Sequence, residues 1–214
     1  MNDPLPRYQV VEGSTKTPSA QAADPVEADL LAKAQGGNLF AFEEIVKRYQ
    51  RRVYGTALRI VRRHDIADDV VQEAFIRAQR ALPSFDLSRP FGPWIARITA
   101  NLAVNHLRSP KAREEALPEG HAETPGRDPG PLGGVLEEEA RRVLETALGA
   151  LPLEQRSVFV LRVMEDLSYR EISEALGLNL GTVMSRLARA REKLRLALVP
   201  YLGEAARRAE AAEP

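Results

Sequence analysis

The stretch that most constrains this chain is LSYREISEALGLNLGTVMSRLARAREKLRLAL, Leu167–Leu198. Ser168 and Glu171 have the spacing of a capping box, in which hydroxyl and carboxylate each satisfy an orphan amide of a helix's first turn. Leu167 and Ile172 flank that cap and are placed to form a hydrophobic staple. The helix so begun has Ile172 and Leu176 on its inner face and meets Gly177, a residue suited to a left-handed turn. Asn179 can cap a second helix whose apolar stripe is Val183, Leu187, Ala190 and Leu194. The connection is too short for anything but a steep crossing, so the segment predicts a helix-turn-helix.

The outward face of the second helix carries Thr182, Ser185, Arg186, Arg189 and Lys193. From Gly181 to Arg195 there are five basic residues and one acid, Glu192. Hydroxyls and guanidinium groups on one helix face suit phosphate oxygens and the acceptor-rich edge of guanine in a major groove. A solvated basic face on a helical hairpin is the plainer reading. The register of cap, staple, glycine and stripe favours DNA binding.

Upstream, residues 1–23 mix Pro, Ser, Thr, Gly and Gln without period and read as a flexible arm. Asp24-Pro25-Val26-Glu27 is a helix start, with Leu30, Leu31 and Ala34 facing inward and Gly36-Gly37 ending the helix. Asn38 caps a longer helix with the inner stripe Phe42, Ile45, Tyr49, Val53 and Leu58. Arg and Lys at 47, 48, 51, 52, 59, 62 and 63 are expected to cover the rest of its surface. Asp65 is expected to cap a third helix, ending about Ala81, whose inward residues are Ile66, Val70, Ala74 and Ala78.

Asp68, Asp69, Gln72 and Glu73 cluster in the first two turns of that helix. Acids there are favoured by the helix dipole, which accounts for Asp68 and Asp69 better than for Gln72 and Glu73. A protein-contact patch is the other reading. Residues 82–92 form a loop, and Pro93 is expected to open a fourth helix with Trp94, Ile95, Ile98, Leu102 and Leu107 inward. Arg97, Asn101, Asn105 and Arg108 recur on its opposite face. Amides flanked by arginines suit unpaired base edges and backbone phosphates, although such a stripe can equally be an exposed polar face.

Between Ser109 and Gly134 there are five prolines and five glycines, with no apolar period. This is a flexible interdomain linker. Leu136, Ala140, Val143, Leu144, Ala147 and Leu151 make a helix stopped near Pro152, and Val158, Phe159, Leu161 and Met164 mark another. Residues 201–214 are an Ala/Glu/Arg tail left without assignment. No strand alternation stands out, so the fold expected is all-α: two small helical domains, 24–108 and 135–200, joined by the linker 109–134.

Lys+Arg and Asp+Glu number 30 each, giving a net charge of zero. A DNA-binding chain usually carries a basic excess, so neutrality implies weak DNA affinity alone and an acidic surface kept for a protein partner. There is no cysteine, and His64, His106 and His121 lie in separate segments, so neither a disulfide, a metal site nor any cofactor is expected. No phosphate loop or nucleophile elbow appears, and an enzyme such as a recombinase would need a nucleophile or metal carboxylates that the sequence lacks. No apolar run spans a membrane and no signal-peptide core precedes the domains, which predicts a cytoplasmic protein without membrane contact.

Taken together, DDVVQEAFIRA (Asp68–Ala78), PFGPWIARITANLAVNHLR (Pro90–Arg108) and ALPLEQRSVFVLRVMEDLSYREISEALGLNLGTVMSRLARAREKLR (Ala150–Arg195) resemble a bacterial sigma factor. The likeness is to the sigma-70 family, in its small extracytoplasmic-function class. The first segment is similar to region 2.2, which implies docking of Asp68, Asp69, Gln72 and Glu73 on the β′ clamp of RNA polymerase. The second is similar to regions 2.3 and 2.4, which implies that Phe91, Trp94, Arg97, Asn101, Asn105 and Arg108 read and open the −10 element. There the 82–92 loop and Asn101 would capture flipped bases. The third is similar to region 4, which implies −35 recognition by Thr182, Ser185, Arg186, Arg189 and Lys193 and a contact with the β flap. Many members have Asp where this chain has Asn105, so acidic chemistry at that position has no part here. Region 1.1 and the extra domain of primary sigma factors are missing, which marks the small class. The resemblance further implies core polymerase, promoter DNA and an anti-sigma factor as partners. A free-standing helix-turn-helix regulator is the alternative, and it leaves the 68–73 patch and the 97–108 stripe without a role.

Overall fold

The computed structural model describes residues 25–109 and 135–212; the arm 1–23, its neighbour Asp24, most of the linker and the last two residues lie outside them. Every element among the described residues is helical. Helix α1, Pro25–Gln35, has proline at its first position and Glu27 in its first turn. Asn38 then caps α2, Leu39–Val61, its side-chain oxygen accepting from the Ala41 N–H at 3.1 Å. Phe42, Ile45, Val53 and Leu58 are buried as their spacing requires, and Tyr49 is half-buried. The Tyr49 hydroxyl donates to Glu27 at 2.9 Å, and burial, reinforced by that carboxylate, pushes its pKa well above the usual phenol range.

Helix α3, His64–Ala81, buries Ile66, Val70, Ala74 and Ala78. Asp65 does not cap it. The helix begins two residues earlier than such a cap requires, at His64, Arg63 stands at the cap position, and its guanidinium takes the Asp65 carboxylate at 3.2 Å and 2.5 Å. That contact, together with the Ile66 amide, holds Asp65 below the usual carboxylate range. A short 3-10 turn, Leu82–Ser84, follows, and α4 runs Phe91–Arg108. Its start is Phe91 rather than Pro93, because burial of the Phe91 ring draws that residue into the first turn.

In the second half, α5 (Val135–Gly149) leads to α6 (Leu153–Phe159), which continues as a π-turn, Val160–Met164. Helices α7 (Tyr169–Leu176) and α8 (Leu180–Ala212) complete the chain. Residues 201–212, unassigned from sequence, are helical. A helix already nucleated extends cheaply through good formers, and EAARRAEAA is made of them.

The two halves are packed together rather than held as separate bodies. Helix α2 lies against α5, α6 and the π-turn, and α4 lies against α6, the π-turn and α7. Val158, Leu161, Leu148 and Leu167 of the second half join one buried cluster with Leu58, Ile60 and Ala103 of the first. The arginines of α2 are accordingly not all solvated. Arg52 meets Glu165 at 2.7 Å, Arg59 meets Glu145 at 2.9 Å, and Arg62 is only 7% exposed at a left-handed helix end.

Candidate nucleic-acid interface

The helix-turn-helix forms as its sequence dictates. The Ser168 hydroxyl accepts from the Glu171 N–H at 3.3 Å, and the Glu171 carboxylate accepts from the Ser168 N–H at 2.8 Å. Leu167 and Ile172 are fully buried beside this box. Gly177 turns the chain at φ 63°, and its N–H reaches the Ser173 carbonyl. Asn179 accepts from the Thr182 N–H at 2.7 Å and so caps α8. Val183, Leu187, Ala190 and Leu194 are all buried, which fixes the rotation of α8 about its axis.

That rotation sends Ser185, Arg189 and Lys193 to solvent and leaves Thr182 and Arg186 half-exposed. Glu192, the one acid in this turn of helix, is taken by Arg195 at 2.7 Å. Arg186, Arg189 and Lys193 have no ion pair among the described residues. Three cations on one face of a helix whose rotation is fixed, with no ion pair among the described residues, leave their charge for phosphates or base edges.

On α3, Asp68, Asp69 and Gln72 are exposed, and Glu73 is half-exposed with Arg77 at 2.6 Å. Ile76, 43% exposed, continues the same surface one turn on. This is an acidic patch with an apolar edge, a composition that suits a basic protein partner.

The α4 stripe is only partly open. Asn105 and Arg108 are exposed, but Arg97 pairs with Glu174 of α7 at 3.1 Å. Asn101 donates to the Ala175 carbonyl at 2.9 Å and accepts from Asn105 at 2.8 Å. A cleft of about 590 Å³ lies beside them, edged by Arg77, Phe85, Arg89, Trp94, Arg97 and Asn101. Phe91 does not border it. The ring is fully buried, with Tyr49 at 4.9 Å and Trp94 at 5.3 Å between centroids, so the expected base contact by Phe91 is corrected to one of support. Trp94 is half-buried in the same aromatic cluster and presents an edge to the cleft.

The Sigma-70 region 2 profile matches residues 45–113, and the Sigma-70, region 4 profile matches residues 141–194. Against the ECF RNA polymerase sigma factor SigE of Mycolicibacterium smegmatis, identity is 38% over 79% of this chain and 66% of that protein's length. Against the ECF RNA polymerase sigma-E factor of Escherichia coli K12 it is 37%, over 82% of this chain and 94% of its relative. This chain belongs to the extracytoplasmic-function sigma factors. The solved structure of CnrH in complex with the cytosolic domain of CnrY is similar over 82% of this chain and 98% of its own, at 30% identity and a TM-score of 0.54.

As a sigma factor the chain is a transcription-initiation protein and not an enzyme. Among the described residues no helix is long and apolar enough to cross a membrane. Three residues that matter to the arrangement of this sigma factor, Glu145, Arg156 and Glu165, are missing from the sequence reading. Each is buried to 7% exposure or less. Nothing in their local spacing marks them, since their partners in the first half of the chain lie 86 to 113 residues away. The available signal is a charged residue on an otherwise apolar face: Glu145 beside Leu144 and Leu148, and Arg156 between Leu153 and Phe159.

Proposed function

We propose that this sigma factor divides its labour by helix: α3 docks on core RNA polymerase, α4 takes the −10 element and α8 reads the −35 element. The first domain is assigned to residues 24–108, with the matched span 45–113 in support, and the second to 135–200, with 141–194 in support. The intervening 109–134 is assigned as a linker.

The observation that carries the reading is the basic face of α8, unpaired and set at fixed rotation by the four buried apolar residues behind it. Thr182, Ser185, Arg186, Arg189 and Lys193 would meet the major groove, with β-flap contact from the same domain. Asp68, Asp69, Gln72 and Glu73 would meet the β′ clamp. Asn101, Asn105, Arg97, Arg108 and Trp94 would hold flipped bases and phosphates at the cleft. Stacking supplies about 1–3 kcal/mol per captured base, comparable with the few kcal/mol needed to unstack a step. Melting therefore needs no nucleotide hydrolysis.

A sigma factor acts where the chromosome and polymerase are, which assigns this one to the cytoplasm. An anti-sigma partner follows from the class, and the capture of CnrH by a cytosolic domain of a second protein is consistent with it. Reconstitution decides the matter. The pure chain should co-purify with core polymerase and start transcripts at a fixed site on a promoter drawn from genomic fragments. Failure to bind core would overturn the reading.

A further inference from the structure

The exposed surface of α8 changes character along its length. Over residues 180–188 the exposed side is made by Leu180, Gly181, Met184, Ser185 and Ala188, and only Ser185 carries a polar group. The Ser185 hydroxyl donates to the Thr182 carbonyl at 3.1 Å, which leaves its oxygen as an acceptor alone. The fully exposed cations Arg189, Arg191 and Lys193 all come later in the helix.

Leu180 and Met184 stand one helical turn apart, 50% and 57% exposed. Packing within the chain accounts for neither, because Val183, Leu187, Ala190 and Leu194 already supply the buried side of α8. Gly181 is equally unexplained by the fold. Its backbone is not left-handed, and a Cβ there would meet only Asn179 Oδ1 at 3.6 Å, an ordinary contact. Glycine in a helix is destabilising relative to alanine, so the helix gains nothing from it. What a missing side chain permits is the close approach of a surface from outside.

A recognition helix meets base edges with its N-terminal residues, and on α8 those are the apolar ones. The one feature of the major groove that an apolar side chain matches is the C5-methyl group of thymine. Set against guanine O6 and N7 or cytosine N4, the same side chain would strip water from a polar edge and return no hydrogen bond. Discrimination then comes from a gain at thymine and a penalty at G·C pairs together. Met184, unbranched and polarisable, has the reach and softness for such a contact. Its surface runs through Ser185 and Ala188 into Arg189, which favours a polyanion carrying methyl groups over a protein partner. We infer that Met184 is a specificity-determining residue that reads a thymine methyl group in the −35 element, a role that rests on the proposed reading of that element by α8. Gly181 lets the first turn sit close to the groove floor.

Uracil differs from thymine only in lacking that methyl group, so substituted DNA isolates the contact. The probe is duplex DNA from a genomic fragment on which the holoenzyme initiates, with each −35 thymine replaced by uracil in turn. Holoenzyme is reconstituted from core polymerase and the full chain, and apparent affinity is measured by competition. Circular dichroism and co-purification with core check that each variant is folded and assembled. The parent should lose about fourfold in affinity at one thymine, equivalent to about 0.8 kcal/mol at 25 °C, the value of one methyl group leaving an apolar contact. Met184→Ala should show that loss on thymine DNA and no further loss with uracil. Met184→Arg should move the preference at that position toward guanine. Gly181→Leu should raise helix stability and weaken the complex.

Equal affinity for thymine and uracil at every −35 position overturns the role of Met184, and an element without thymine does the same. So does a uracil effect that persists undiminished in Met184→Ala. Loss of core binding in Met184→Ala would make the patch a polymerase contact and overturn the role as well. Gly181→Leu binding as tightly as the parent removes the close approach. If Arg186→Ala with Arg189→Ala leaves the complex unchanged, the reading of the −35 element by α8 falls. A complex weakened by that pair but indifferent to uracil removes Met184 alone.

Discussion

Glu73 lies two turns into α3, where the helix-dipole contribution has largely decayed, and its one partner is Arg77, four residues on. Both side chains are about half-exposed, so the pair contributes about 0.3–0.5 kcal/mol at most. Glu73→Lys should therefore keep its helical spectrum and melt within a few degrees of the parent. It should fail to co-purify with core polymerase, because like charges in a docked interface cost several kcal/mol. A variant that binds core normally would return the patch to a solvated face. Arg186 and Arg189 differ in exposure, the first half-buried and the second open. Where either makes a bidentate base contact, its change to Ala should cost about 1–3 kcal/mol and relax preference at one base of the −35 element. A phosphate contact would weaken every sequence equally and flatten the salt slope. Transcription unchanged in both variants would remove α8 from the role.

The turn between α7 and α8 depends on Gly177, whose φ of 63° is costly for any residue with a Cβ. No atom lies within 4 Å of where that Cβ would be, so Gly177→Ala meets no clash and only backbone strain remains. A cost of about 1 kcal/mol is expected, read as a lower urea midpoint with unchanged slope. Ser168→Ala removes the acceptor for the Glu171 amide and should cost a similar amount, about 0.5–2 kcal/mol. Both changes act on how α7 enters and leaves the motif. Neither alters a side chain on the α8 face, so −35 preference should be preserved while stability falls. Altered base preference in Gly177→Ala would mean that the crossing angle itself had moved.

Across the whole chain, net charge is zero, and Arg97 and Asn101, the residues proposed for the −10 element, are held by Glu174 and Ala175 of the other half. The isolated full-length protein should bind duplex promoter DNA poorly at physiological salt, measurable by fluorescence anisotropy. Tight, sequence-specific binding would count strongly against a factor that works only on polymerase. Arg156→Met should be among the most damaging single changes. It strips donors from the Ile60, Gly149 and Leu151 carbonyls, and each buried orphan costs about 1–3 kcal/mol. Denaturation should then show the two halves unfolding in separate steps, where the parent unfolds in one.

Helices, caps and the helix-turn-helix were legible because they depend on residues within a few positions of one another. The Ser168–Glu171 box, the Asn38 and Asn179 caps and the Val183–Leu194 stripe are all local patterns, and all formed. Asp65 failed as a cap because Arg63, equally local, competed for the same carboxylate. Phe91 read as a loop aromatic available to bases, but its burial depends on Tyr49 of the distant helix α2 closing over it, beside Trp94 one turn on in α4. The docking of the halves lay beyond local pattern altogether. Glu145, Arg156 and Glu165 find partners across 86 to 113 residues, and a lone charge on an apolar helix face has no periodicity by which to announce them. Local spacing thus determines which helices form and which faces they bury. Only long-range packing decides which polar groups meet, because burial makes an unpaired charge intolerable and so selects the partner.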